Sequence, residues 1–157
     1  MTSGPGLPLN ARLRIATEAD VAAIERLVAD AYGKYVERIG RKPRPMVADY
    51  HAAVVKNQFW LCEQKGAPIA VLELVAQESS LLVQNIAVSP TFQQAGLGRS
   101  LMRFAEAEAR RQGYGEVRLY TNERLRENLK FYGSLGYRET HREALGGTEL
   151  VHMMKAV

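Results

Sequence analysis

The stretch of the chain best suited to chemistry is Gln93-Gln94-Ala95-Gly96-Leu97-Gly98, followed by Arg99 and Ser100. An apolar run, Ile86-Ala87-Val88, leads towards it, Ser89-Pro90 breaks that run, and a helical pattern begins at Gly96. Glycines let backbone N–H groups come close to a bound group. A helix start adds unpaired N–H donors and the positive end of the aligned peptide dipoles. A buried strand, a short glycine-bearing loop and a helix start together make a phosphate cradle, and Arg99 adds a positive charge beside it. Two glycines opening a helix are poor helix chemistry if a tight turn is all they serve.

Spacing excludes two common phosphate ligands. A Walker loop needs Lys followed by Ser or Thr after its last glycine. Here Arg99-Ser100 follows, and the glycine spacing differs. A dinucleotide fingerprint needs a third glycine where Leu101 stands, and it belongs after the first strand of a sheet rather than the fourth.

The elements that must position this loop can be read from periodicity. A strand is expected over 13–16, then a helix capped by Thr17, with Asp20 at the capping-box position. Val21, Ile24, Val28 and Ala31 recur at helical spacing, and the helix frays near Gly33 or runs on to about Arg38. Gly40, Pro43 and Pro45 enforce a loop over 39–45, and 46–56 reads as a second helix. Residues 58–63 and 68–76 read as hairpin strands around Lys65-Gly66. Residues 80–88 read as a central strand with a continuously apolar end. A helix over 96–112, a strand over 116–121, a helix over 125–135 and strands over 137–142 and 149–154 complete the order. That order predicts one α/β (α+β) domain over 12–157, a mixed sheet with helices on its faces. Residues 1–11 read as a flexible tail rather than a signal peptide.

The segment 93–98 resembles the Q/R-x-x-G-x-G/A signature of the GNAT superfamily of N-acetyltransferases. The run Asn128-Leu129-Lys130-Phe131-Tyr132-Gly133-Ser134-Leu135-Gly136-Tyr137 is similar to that family's later helix-turn-strand motif. The resemblance spans about residues 13–155, with its motifs confined to 82–137. It implies a mixed, mostly antiparallel central sheet of about seven strands, splayed between the fourth and fifth, with helices on both faces. It implies acetyl-CoA as co-substrate, lying in the splay. Ile86, Ala87 and Val88 would hold the pantetheine arm as an added strand would. Gln93, Gln94, Ala95, Gly96, Leu97, Gly98, Arg99 and Ser100 would hold the pyrophosphate. An amine would then attack the thioester directly.

Tyr132 matches the family tyrosine near the cofactor sulfur, where a phenol suits protonation of a departing thiolate. Asn128, one turn earlier, shares its helix edge and is placed to bond the pantetheine amide or the phosphate end. Many relatives carry asparagine seven residues before the tyrosine, where this chain has Leu125, so the chain departs from the family there. For the general base, Glu73 lies in a strand expected to flank the acceptor, although strand alternation favours pointing it to solvent. Asn85 is placed to hold a water that takes the proton, and a wet channel would make a dedicated base unnecessary. The acceptor is expected against the segment 32–50, with Tyr32, Tyr35 and Arg44 as leading contacts and Arg38, Arg41 and Asp49 beside them. Arginines there suit a carboxylate or phosphate on the acceptor, or form a plain solvated loop.

Composition excludes several classes. The chain is 46% hydrophobic and 24% charged, which argues against disorder. Its single cysteine, Cys62, rules out an internal disulfide and reads as an inert core thiol. His51, His141 and His152 stand apart with no metal-ligand spacing, so no metal is expected. No apolar run nears the roughly 20 residues that cross a bilayer, and a cytoplasmic setting is the default. The net charge of +4 is dispersed without a Lys/Arg block, which argues against nucleic acid. The expected partner is a small-molecule amine, and the resemblance is compatible with a homodimer. A protein lysine or N-terminus as acceptor, and a non-catalytic acyl-CoA-binding module, stand as the alternatives.

Overall fold

The computed structural model of the chain describes residues 7, 8 and 10–157. Most of the expected tail lies outside the described residues, and its last residue, Ala11, opens the first strand. Strand β1 (Ala11–Ile15) pairs antiparallel with β2 (Gln58–Gln64), which pairs with β3 (Ala67–Ala76), which pairs with β4 (Leu81–Val88). Strand β5 (Glu116–Asn122) runs parallel to β4, and β7 (Thr148–Ala156) is inserted between β5 and β6 (Arg138–Leu145). The order is β1-β2-β3-β4-β5-β7-β6, a mixed, mostly antiparallel seven-stranded sheet.

Helices cover both faces. Helix α1 (Val21–Tyr32) follows a single 3-10 turn that carries the expected capping box, in which the Asp20 carboxylate accepts from the Thr17 N–H at 2.8 Å. The chain continues through Gly33 into the short α2 (Val36–Ile39), and Gly40, at φ +88°, ends it. The second expected helix is shorter than its pattern. Met46 lies in a separate turn, and α3 (Tyr50–Lys56) begins only where Asp49 Oδ1 accepts from the Ala52 N–H at 3.2 Å. Helices α1 and α3 bury Ile24, Val28 and Tyr50 against Phe59, Leu61, Val71 and Ala87. On the opposite face α4 (Leu97–Arg111) and α5 (Arg126–Ser134) bury Leu101, Met102, Ala105 and Tyr132 against Leu72, Leu74 and Leu119. Among the described residues no helix is long and apolar enough to cross a membrane.

The feature that matters for function is the short partnership of β4 with β5. They pair only from Leu81↔Val117 to Val83↔Leu119. The next residue, Gln84, is the extra residue of a bulge, because Leu74 faces Val83 while Glu73 faces Asn85. A bulge bends its strand and re-aims the side chains beyond it. Here it turns β4 away from β5, and each strand keeps its outer partner, β3 through Val88 and β7 through Asn122. Ile86 and Val88 are consequently half-buried rather than sealed, because their inner edge faces the opening. The sequence pattern alone reads that strand end as fully buried.

Candidate active site

The loop after β4 has the backbone geometry of an anion cradle. Gln94 and Gly96 adopt the left-handed conformation, at φ +68° and +82°. The first intrahelical bond of α4 runs from the Ser100 N–H to the Gly96 carbonyl, at 3.1 Å. The N–H groups of Leu97, Gly98 and Arg99 therefore have no partner within the helix. Such amides, at the positive end of a 15-residue helix, attract anions.

A cavity of about 490 Å³ opens in front of this loop. Ile86, Ala87 and Val88 line it from β4, Gln93, Gln94, Gly96, Gly98 and Arg99 from the loop, and Asn128 and Tyr132 from α5. Three expected cofactor residues have side chains that do not line this cavity. Leu97 is sealed in the core, Ser100 turns its hydroxyl back to the Gly96 carbonyl at 3.1 Å, and Ala95 closes the preceding turn through its N–H. They shape the loop rather than line the cavity. Gln93 also does structural work: its Nε2 donates to the Val88 carbonyl at 3.0 Å and its Oε1 accepts from Lys34 Nζ at 2.6 Å. Lys34 and Phe131 line this cavity too and were missed from sequence. Lys34 stands 59 residues from Gln93, so no local pattern links them.

On the other side of the splay lies a cavity of about 300 Å³. Tyr32, Ile86, Asn128 and Tyr132 line both cavities and form the wall between them. The Tyr32 hydroxyl donates towards the Ile86 carbonyl, 2.8 Å away, and Asn85 Oδ1, 3.1 Å away. Asn85 Nδ2 donates to the Tyr50 hydroxyl at 2.9 Å, which donates to the Pro45 carbonyl at 2.6 Å. Asn85 is thus tied between two tyrosines, not free to hold water with its whole amide. Asn128 reaches from α5 towards Thr121 Oγ1, 3.4 Å away, at the mouth of the splay. Leu125 caps the start of α5 and lines the smaller cavity.

Tyr132 is buried, and its hydroxyl makes no hydrogen bond among the described residues. Its ring packs on Phe131 and Tyr137, with centroids 5.2 and 6.1 Å away. Burial pushes its pKa well above the usual phenol value, so it stays a proton donor. Arg44 lines the smaller cavity, with its guanidinium 5.6 Å over the Tyr120 ring. Tyr35 does not line that cavity. It packs with Ile39 and Leu125 and lines the larger cavity instead.

Glu73 does not point to solvent. It is 5% exposed and accepts from Asn57 Nδ2 at 2.7 Å. It lines a small cavity that shares Arg44, Gln84, Asn85 and Tyr120 with the 300 Å³ cavity. Burial raises its pKa, opposed by the Asn57 hydrogen bond.

Residues 55–139, more than half of the 157-residue chain, match the acetyltransferase (GNAT) domain. The chain belongs to the GNAT acetyltransferase family. It is 26% identical over 104 residues to N-acetyltransferase family 8 member 3 of Rattus norvegicus, covering 62% of this chain and 43% of that protein. The chain thus spans less than half the length of that curated relative. Two solved structures share the fold. One is the PaiA N-acetyltransferase of Thermoplasma acidophilum in complex with coenzyme A, at TM-score 0.77 and 15% identity, over 94% of this chain and 99% of that one. The other is the ribosomal-protein-S18-alanine N-acetyltransferase of Escherichia coli, at TM-score 0.70 and 18% identity, over 93% of each chain.

The remaining reactive side chains of this GNAT domain lie away from the splay. Cys62 is buried, and burial pushes its thiol up to about 11, which suppresses the reactive thiolate. His141 and His152 are not isolated as their spacing suggests: β6 and β7 set them opposite each other, with rings stacked 4.2 Å apart. Among the described residues no group of three or more His, Cys, Asp or Glu is placed to hold a metal ion.

Proposed function

We propose that the chain transfers an acetyl group from acetyl-CoA to the primary amine of a small molecule by direct attack on the thioester. The observation that carries this reading is the meeting of two cavities at Tyr132, inside the β4–β5 splay and beside a loop of free helix-start amides. The larger cavity suits the cofactor. The amides of Leu97, Gly98 and Arg99, with Arg99 and Lys34, would hold the pyrophosphate, and the edge of β4 at Ile86 to Val88 would pair with the pantetheine amides. The Ile86 and Val88 carbonyls already accept from Tyr32 and Gln93, and a carbonyl has a second lone pair for a further donor.

The smaller cavity suits the acceptor, and about 300 Å³ is the size of a small-ligand site rather than of a polypeptide groove. The amine attacks the carbonyl carbon, a C–N bond forms and the C–S bond breaks. Tyr132 protonates the departing thiolate, and the ammonium proton leaves through water towards Glu73, whose pKa, raised by burial, makes it a stronger base than an exposed carboxylate. The test is incubation with acetyl-CoA and an amine panel, reading free thiol and the mass of the product. Thiol release with an N-acetylated product is expected, and no release above background with any amine overturns the reading.

A further inference from the structure

The acceptor cavity has an unusual charge inventory. Its charged lining groups are Arg41, Lys42 and Arg44, and no Asp or Glu lines it. None of the three makes an ion pair among the described residues. Glu73, in the adjoining small cavity, is committed to Asn57.

Arg41 differs from a freely solvated surface arginine. It is half-buried, and its Nη2 donates to the Leu145 carbonyl at 2.8 Å, across the turn between β6 and β7. The guanidinium lies directly over Gly146: a Cβ there would stand 1.7 Å from Arg41 Nη1. Gly146 is also left-handed, at φ +55°. The turn therefore has room for the guanidinium only because that position has no side chain. The result is a fork seated at the cavity wall, with Nη2 anchored to the Leu145 carbonyl and its other N–H groups unpaired among the described residues. A planar fork of this kind matches a carboxylate or phosphate through two parallel hydrogen bonds. A solvated loop would have no need of such a seat.

We propose that the acceptor carries an anionic group, a carboxylate or phosphate, in addition to its amine, and that Arg41 recognises it. This rests on the reading of the smaller cavity as the acceptor site. Diamines and polyamines are disfavoured, because a second ammonium would enter a cavity lined by three cations and no carboxylate.

The test compares acceptors of matched length with acetyl-CoA as donor: ω-aminoalkanoates, their primary amides, aminoalkylphosphonates and diamines. Wild type should use an anionic series at least tenfold better in kcat/KM than the amides, with diamines poorest, and the preferred series identifies the anion. Arg41→Gln should raise KM for the anionic acceptors about tenfold, the scale of a lost charge-assisted pair, with kcat and the amides little changed. Gly146→Ala should act in the same way by unseating the guanidinium, and Arg41→Lys should keep part of the preference. Equal use of amides or diamines by wild type, or an Arg41→Gln loss shared by all acceptors, overturns the proposal. If no amine turns over, the acetyl-transfer reading fails, and calorimetric titration of the aminoalkanoates and aminoalkylphosphonates into the CoA-loaded protein still decides this one. Binding by wild type that Arg41→Gln weakens supports it. No binding by wild type, or equal binding by both, refutes it.

Discussion

Tyr132→Phe separates catalysis from packing unusually cleanly in this chain. The substitution removes one oxygen and keeps the ring that packs on Phe131 and Tyr137. That hydroxyl has no hydrogen-bond partner among the described residues, so its loss orphans nothing. Stability should change by no more than about 0.5 kcal/mol. The larger cavity keeps its loop, its β4 edge and Arg99, so the Kd for CoA should stay within about threefold of wild type. The proton for the thiolate, by contrast, is lost. General-acid steps contribute about 10²–10⁴-fold, or about 3–5 kcal/mol of barrier, and kcat should fall by that factor. Burial holds the phenol pKa above its ordinary value of 10.0, so wild type should lose no activity through Tyr132 ionisation below that pH. The assays are calorimetric binding of CoA, a thermal melt, and thiol release against pH. A kcat within about threefold of wild type would refute the assignment of Tyr132 as the acid, and a parallel fall in Tm would show that the ring, not the hydroxyl, was disturbed.

Two glycines of the loop should behave differently. Gly96→Ala forces a left-handed residue at φ +82° and should cost about 1–2 kcal/mol, seen as a lower Tm together with weaker CoA binding. Gly98→Ala meets only the Phe131 ring, at 3.5 Å from Cζ and 4.0 Å from Cε2, ordinary contacts, so its Tm should hold while CoA binding alone reports on backbone approach to the pyrophosphate; unchanged binding in both variants would contradict the cradle. Glu73→Gln should lower kcat by about 10²-fold and flatten an acid limb whose apparent pKa lies above the ordinary 4.5; a limb that survives intact assigns the base elsewhere. The same variant gives a signed stability result. A carboxyl whose pKa is raised by folding costs stability once it ionises, so Glu73→Gln should melt above wild type at pH 8 and converge with it below about pH 4.5.

Much of this fold can be read from the chain because its signals are local. The capping box at Thr17, the Lys65-Gly66 hairpin and the spacing of Leu97, Leu101 and Ala105 each declare an element within a few residues. The misreadings have a common cause. Alternation sent Glu73 to solvent, yet β3 is covered by helices on both sides and is buried continuously from Ile69 to Leu74. In such a strand neither parity reaches water. The bulge at Gln84 has no marker of its own, since Gln84 is neither glycine nor proline. It nevertheless decides which side chains of β4 face which helix layer, and where the sheet opens.

The two halves of the site differ in how far their parts lie apart along the chain. Apart from Lys34, the proposed donor cradle is built within residues 86–99, and Asn128 and Tyr132 sit one turn apart on α5, so residue type and spacing suffice to find these. The smaller cavity, the proposed acceptor site, is assembled from Tyr32 of α1, the segment after α2, the bend of β4, the end of β5, the start of α5 and the β6–β7 turn. Its most constrained cation, Arg41, is oriented by a carbonyl 104 residues away and by the bareness of the glycine that follows it. Nothing near Arg41 in sequence records that arrangement. Outside the shared wall of Tyr32, Ile86, Asn128 and Tyr132, the two cavities draw on separate segments of the chain. On the proposed reading, substitution in the loop at 93–98 would act on the donor that every acceptor shares, whereas substitution at Gly146 would alter which amine is accepted without touching a group assigned to the thioester. On that reading, the β6–β7 turn, which supplies none of the groups assigned to the thioester, is where acceptor specificity would shift at least cost to the chemistry.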